Sequence, residues 1–399
     1  MDIGISAWAS CSALGADQAT CRESYRQERH CLSWSVEQQQ WVGRHQAAID
    51  HDLQQIAQEK RSYHRLDKTV LMAMLTAQKA CRAADWTDGN FGINIGSSRG
   101  ATAFWEQAHQ KFDQRELISP LTSPNTTLGN ISSWVGQYLK HKGMAFSHSV
   151  TCSTALHAFL NGMSWIKAGW ADRFLVGGSE APLTPFTIAQ MKALRIYADA
   201  GPSDYPCRAG DLEKTRNSMV LGEGAACFCL EKASEGSPFL IEGVGYAVEQ
   251  IRHAVDLSEQ GDGLFETMRM AIGELDASLV DVVVTHMPGT IKGDQAEWRA
   301  LERLFGPDMP LITNNKWKIG HCLGASGALN VELALFLLED TMFIPVPYLH
   351  QTPKDKTIKR VLVNAVGFGG NAVSLLISRN PAYWSSRTQR QASASVFGI

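Results

Sequence analysis

The sequence predicts an α/β protein with largely parallel, buried strands. Two observations carry that reading. Short apolar runs read as strands at 91–96 (FGINIG), 173–178 (RFLVGG), 281–285 (DVVVT) and 360–366 (RVLVNAV). Longer stretches with helical periodicity lie between them, at 66–83, 129–140, 153–168, 264–276, 294–305 and 327–339. At 399 residues the chain is longer than the ~100–200 residues of an ordinary domain, so two domains or one duplicated unit are expected.

From the start, MDIGISAWAS lacks the basic region of a signal peptide and reads as a first strand. The segment 200–216 (AGPSDYPCRAGDLEKTR) is rich in Gly, Pro and charge and reads as a long surface loop. A strand is expected at 225–231, and the softer KASEGSP at 232–238 after it is the best domain boundary. From Asn380 the tail is polar and serine-rich, which predicts loose order. A hydrophobic fraction of 44% with 19% charged residues excludes a mainly disordered chain. Net charge is 37 − 40 = −3, which leaves no footprint for nucleic acid or a membrane surface. No apolar run approaches the ~18 residues of a membrane span. Nine cysteines are scattered without a C-x-x-C pair, which predicts reduced thiols in a cytoplasm and no metal site. Cys227 and Cys229 fall on one face of the 225–231 strand, a poor zinc arrangement.

Cys152 precedes a stretch, 155–166, that is apolar nearly all round and therefore buried. A cysteine at the first turn of that helix meets the positive end of the macrodipole and unpaired N–H groups, which favour thiolate and can hold an oxyanion. The plain alternative is a small buried cysteine filling core space. His286 closes the DVVVT strand, and carboxyl ends of strands are where α/β proteins put catalytic groups. His321 lies in KIGHCLGASGALN, between a strand end and a helix. Taken singly, either histidine reads as a satisfied loop residue. Lys316 by itself reads as a surface lysine. Asp294 and Glu297 read as a capping-box-like helix start before Trp298 and Leu301. Gly367–Phe368–Gly369–Gly370 and Gly222–Glu223–Gly224 lack nucleotide-loop spacing and read as tight turns.

Their order is more telling than any one of them. A Cys before a buried helix, a strand-end His, Lys316-x3-Gly320-His321 and Gly-Phe-Gly-Gly together resemble the β-ketoacyl-ACP synthases. The likeness runs from about residue 2 to 378. It takes in TCSTALHAFLNGMSWIKAGWADRFLVGGSEA at 151–181, INIGSSRG at 93–100, NSMVLGEGAACFCLE at 217–231, and the loop His286–Thr290 with Asp294 and Glu297. It differs at Met287–Pro288, where the family has Gly-Thr, at Tyr205–Arg208 and at Asn217–Met219. Those differences are similar to a divergent branch such as the type II polyketide or aryl-polyene synthases.

The resemblance implies a thiolase-like five-layer αβαβα sandwich built from two similar halves. Residues 1–235 would carry the nucleophile, 236–380 the two histidines, and 381–399 a polar tail. It implies a decarboxylating Claisen condensation of a Cys152-bound acyl chain with malonyl-ACP. His286 and His321 would hold the enolate oxygen, and Lys316 would add positive charge. Backbone N–H groups of Cys152 and Phe368 would form the oxyanion hole. Asp294 and Glu297 would support from behind, and Thr290 and Phe368 would touch substrate. No cofactor is implied beyond the phosphopantetheine of acyl carrier protein, and the partners implied are that carrier and an identical or related subunit. Two histidines suit an elongating synthase. A thiolase needs a further cysteine, and none follows Cys322. The alternative is a non-catalytic, chain-length-factor-like partner in a heterodimer.

Overall fold

The computed structural model describes residues 2–253, 255–351 and 357–386. Its strands are β1 (Ile3–Cys11), β2 (Ser33–Ser35), β3 (Gln40–Val42), β4 (Gly92–Gly96), β5 (Ala145–Phe146), β6 (Arg173–Glu180), β7 (Gly224–Lys232), β8 (Phe239–Val248), β9 (Val282–Val284), β10 (Leu311–Thr313), β11 (Arg360–Val366) and β12 (Asn371–Arg379). β2 and β3 form a small hairpin, and the others join in the order β10-β9-β11-β12-β8-β1-β7-β6-β4-β5.

That order is the same five-strand pattern twice. Read outward from the centre, β1-β7-β6-β4-β5 on one side matches β8-β12-β11-β9-β10 on the other. On each side the two inner pairings are antiparallel and the two outer ones parallel. Ile3–Ile5 of β1 pairs with Phe239–Ile241 of β8 and joins the two sides. The expectation of largely parallel strands is therefore corrected to a mixed sheet. The turn at 367–370 returns the chain at once, so β11 and β12 must run antiparallel.

Two helices, Thr154–Lys167 and Ser326–Asp340, pack against each other between the two five-stranded sheets. They are the stretches that read as apolar all round, because sheets cover them on both sides. Helix Lys68–Ala83 covers the outer face of the first sheet, and helix Asp262–Ile272 that of the second. The layers run helix, sheet, helix, sheet, helix. Along β7, Ala226, Phe228 and Leu230 face the central helices while Ala225, Cys227 and Cys229 face outward, so the two cysteines do share a face. All nine cysteines are free. Among the described residues no helix is long and apolar enough to cross a membrane.

Two loop expectations change. The 200–216 segment has no helix or strand, but 206–211 turns inward. The Ala209 carbonyl accepts from Tyr348 Oη (2.9 Å) and Asn314 Nδ2 (3.1 Å), which holds the segment under the surface. The start of the tail is also tied down. Asn380 donates to the carbonyls of Ser234 and Ser237 (2.8 Å each), and Trp384 packs on Phe239 and under the Arg379 guanidinium. Residues 387–399, the rest of that expectation, lie outside the described residues.

Candidate active site

Cys152 stands two residues ahead of helix Thr154–Lys167, not in its first turn. The turn before it is tight. Thr151 has φ 48°, and the N–H groups of Ser153 and Thr154 bond back to the carbonyls of Val150 (3.3 Å) and Thr151 (3.2 Å). Thr151 Oγ1 also donates to the carbonyl of Phe368 at 2.9 Å, which ties the Cys152 segment to the 367–370 turn. A Cβ on Gly367 would lie 2.8 Å from the Cys152 nitrogen and closer still to Thr151 Oγ1, so only glycine fits there. The Phe368 backbone N–H lies beside the Cys152 thiol and favours its charged form.

The expected thiolate is not found. Burial pushes the Cys152 thiol up to about 12, and the buried carboxyl of Glu180 adds to the rise. Lys316, Arg99 and the Phe368 N–H act in the opposite direction and are outweighed. A dipole worth ~0.3–1 kcal/mol cannot offset full desolvation of an anion.

His286 follows β9 and is clamped through its backbone. Its N–H donates to Glu297 Oε1 (2.9 Å), and that of Met287 to Glu297 Oε2 (2.7 Å). Asp294 accepts from the N–H of Gly289 (3.0 Å) and of Gly210 (2.7 Å) and pairs with Lys214 Nζ (2.6 Å). These two carboxylates therefore fold the loop back onto the helix Ile291–Phe305 instead of capping it. The cap is Thr290, whose hydroxyl accepts from the Gly293 N–H at 3.2 Å. The capping-box reading of Asp294 and Glu297 is corrected by that geometry.

The rings of His286 and His321 meet edge-on, 5.2 Å apart. His321 Nδ1 bonds Ser326 Oγ at 2.8 Å, while His286 Nδ1 is buried without a partner among the described residues. Burial drives His321 down to about 3 and His286 well below its usual value. Lys316 lowers both further, because a second cation there would be repelled. Both imidazoles are thus neutral donors at neutral pH.

Lys316 is no surface lysine; it is fully buried. Its Nζ donates to Asn330 Oδ1 (2.7 Å) and to the Thr285 carbonyl (3.4 Å), just before His286. Burial lowers it to about 8, and Glu297 opposes the fall.

Cys152, His286, His321, Thr290 and Phe368 line one cavity of about 930 Å³. Lys316, Asp294 and Glu297 stand behind its wall. The sequence reading missed several residues of this site. Glu180, at the end of β6, accepts from the N–H of Ser98 and of Gly324, and burial raises it to about 7. Arg99, Met219, Leu323 and Trp105 line the cavity. An acidic residue ending the apolar run RFLVGGSE was a signal for the first; the others carry none.

Residues 10–236 match the sequence model described as "Beta-ketoacyl synthase, N-terminal domain", and residues 240–350 that of the C-terminal domain. The chain belongs to the β-ketoacyl synthase family. This β-ketoacyl synthase is 27% identical to "3-oxoacyl-[acyl-carrier-protein] synthase 2" of Rhizobium meliloti over 354 residues, 80% of this chain and 83% of that one. It is also 27% identical to "Nodulation protein E" of the same organism, covering 82% and 85%. Among solved structures, a type II PKS acyl-carrier protein in complex with its ketosynthase bound to the hexaketide superposes with a TM-score of 0.82 at 20% identity, covering 95% of this chain and 99% of that one. "The ishigamide ketosynthase/chain length factor" superposes with 0.82 at 18% identity, with the same coverage. These likenesses show the thiolase-like fold.

Proposed function

We propose that Cys152 accepts an acyl chain from acyl carrier protein and that the two histidines condense it with malonyl-ACP. The observation that carries this is one cavity lined by the Cys152 thiol and the rings of His286 and His321, 5.2 Å apart, with the Phe368 backbone beside the sulfur. The carrier's thioester meets Cys152, and the sulfur loses its proton as the acyl group transfers, releasing the carrier thiol. Malonyl-ACP then enters. As its carboxylate leaves as carbon dioxide, charge grows on the thioester oxygen, where His286 and His321 donate. One such donor typically contributes ~3–4 kcal/mol to the barrier. The carbanion attacks the acyl carbonyl on Cys152, whose oxygen is held by the N–H groups of Cys152 and Phe368. Collapse gives β-ketoacyl-ACP and the Cys152 thiolate, which takes a proton from water to return the thiol. Lys316, Asp294 and Glu297 position this set without touching substrate. Thr290 and Phe368 contact the incoming arm and chain.

No cofactor enters that scheme beyond the carrier's phosphopantetheine. The repeated strand order supports a division into 1–235 and 236–380. The complexes named in the comparisons support carrier protein and an identical or related subunit as partners. Nine free cysteines support a reducing cytoplasm. A non-catalytic role beside an active synthase is the second reading, since structures with a chain length factor share the fold. The test is incubation with acyl-ACP and malonyl-ACP, with and without candidate partner subunits, and mass spectrometry of the products. A β-ketoacyl product lost in Cys152→Ser supports condensation here. A product that needs a partner's cysteine and not Cys152 supports the second reading.

A further inference from the structure

Among the charged residues lining the cavity, which include Glu106, Asp256 and Lys292, Arg99 acts on the Cys152 thiol by its charge, yet that mechanism gives it no contact with substrate. Arg99 lies in the loop after β4, and the loop is built rigidly. Ser98 Oγ donates to the Thr151 carbonyl (2.7 Å), Gly100 N–H to Ser97 Oγ (2.9 Å), and Thr69 Oγ1 to the Gly100 carbonyl (3.1 Å). The Ser98–Thr151 bond fixes this loop directly to the nucleophile segment. From it the Arg99 side chain reaches helix Pro185–Ala193, where Nη1 donates to Gln190 Oε1 at 2.7 Å. That is the single hydrogen bond of its side chain among the described residues, although a guanidinium carries five donors. No carboxylate of the described residues pairs with it. Glu106, which shares the cavity, is engaged by Thr184 Oγ1 and the Phe186 N–H.

The cavity that Arg99 lines is mostly apolar, with Trp105, Phe186, Met191, Leu194, Met219 and Leu323, and its polar lining includes Thr102, Glu106 and Asn217. The histidines and Thr290 come from the second half of the chain, whereas Arg99 and most of this wall come from the first. A cation with spare donors in an apolar sleeve holds a plain alkyl chain poorly, since its donors stay unpaired beside the hydrocarbon.

We propose that Arg99 selects acyl chains that carry a hydrogen-bond-accepting oxygen, a carbonyl, hydroxyl or carboxylate, over unsubstituted alkyl chains. This rests on Cys152 being the acyl acceptor. The guanidinium is held at one end by Gln190, so its free N–H groups are pre-aimed and little ordering is needed on binding. A site built to hydrogen-bond a substrate group discriminates strongly against the analogue that lacks it.

The test uses N-acetylcysteamine thioesters of hexanoic, 3-oxohexanoic, 5-oxohexanoic and adipic acids. They lack the carrier's phosphate, so any preference comes from the chain. The rate of Cys152 acylation is read by intact mass. The wild type should take at least one oxygenated thioester about tenfold or more faster than hexanoyl. Arg99→Leu should bring that ratio to about one, chiefly by slowing the oxygenated arm. Arg99→Lys should keep a preference for the adipoyl chain, which a point charge can hold, and lose a preference for an oxo chain, which needs the guanidinium's directed donors, and this separates the two sources. Gln190→Leu, which frees the guanidinium without removing it, should lower the ratio part-way and serves if Arg99→Leu does not fold. Equal wild-type rates for all four chains would overturn the proposal, as would an Arg99→Leu enzyme slowed equally on every one. In both cases Cys152 is still acylated and the condensing reading stands. No adduct on Cys152 with any thioester or acyl-ACP would remove both.

Discussion

Replacing Lys316 by methionine tests the buried cation most directly. Methionine matches the length of the stem and adds no cavity of note, while the charge and its donors disappear. In the wild type, burial lowers this ammonium from 10.5 to about 8. Because the folded value lies below the unfolded one, the charge is a burden on the fold while both states are protonated. That burden is fully present below pH 8 and fades as pH rises towards 10.5. The gap corresponds to about 3 kcal/mol. Lys316→Met removes the burden but leaves Asn330 Oδ1 without its donor, which costs ~1–3 kcal/mol. The two changes nearly cancel at pH 7, so unfolding free energy there should differ little from wild type. At pH 10.5 the wild type has shed the burden, and the variant should be the less stable protein by about 2–3 kcal/mol. Other groups that titrate in this range, Lys318 among them, are common to both proteins and drop out of the difference. The assay is urea unfolding of both proteins at pH 7 and at the highest pH they tolerate, alongside condensation at pH 7. Condensation should fall at least about tenfold, since the cation that helps hold both histidines neutral and bonds the Thr285 carbonyl is gone. A stability difference that does not move with pH would refute the reasoning, because Lys316 would then not be a buried cation with a lowered value. An unchanged condensation rate would remove it from the site.

Three further outcomes follow from the same geometry. Because burial holds the Cys152 thiol at about 12, its alkylation by iodoacetamide should keep accelerating through pH 9; a plateau near pH 7 would show a stable thiolate instead. His286→Ala and His321→Ala should stop malonyl-ACP decarboxylation while acyl-ACP still leaves one adduct on Cys152, and the wild-type decarboxylation rate should not fall between pH 6 and 5, below the ranges of Glu180 at about 7 and Lys316 at about 8, since His321 sits at about 3 and His286 well below its usual value. Equal loss of acylation in both variants would make them thiol activators or structural groups. Thr290→Val should raise the KM for malonyl-ACP several-fold and, because Thr290 caps its helix, lower stability by ~1 kcal/mol; Thr290→Ser should restore both, and a Val variant with wild-type KM would take Thr290 out of the binding surface.

Cys152, His286, Lys316 and His321 stood out only through their order along the chain and the family resemblance that order carries, since singly the histidines read as loop residues and Lys316 as a surface lysine. Each stands at a junction between strand or loop and helix, and such junctions are written in short-range patterns: an apolar run, a glycine, a polar residue. The helices Thr154–Lys167 and Ser326–Asp340 were readable for the same reason, since a segment buried on every side leaves few polar positions. How this helix is capped was misread at this level, since Thr290 and not the two acids supplies the cap. A Thr and two acids near a helix start fit more than one capping scheme, and which one forms depends on where Gly210 and Lys214, about eighty residues away, come to rest.

Composition and periodicity by themselves determined an α/β chain with a cysteine before a helix buried on every side and two histidines at element ends. Tertiary structure decided the mixed sheet, because pairing direction depends on which distant strands meet. It also decided every charge state in the site. Lys316, Glu180 and Cys152 look ordinary in sequence, and they shift because two sheets close over them and remove water. Arg99 became part of the cavity only when the loop after β4 came to rest on Thr151. Burial of that kind is a sum over contacts from the whole chain, and no local pattern records it.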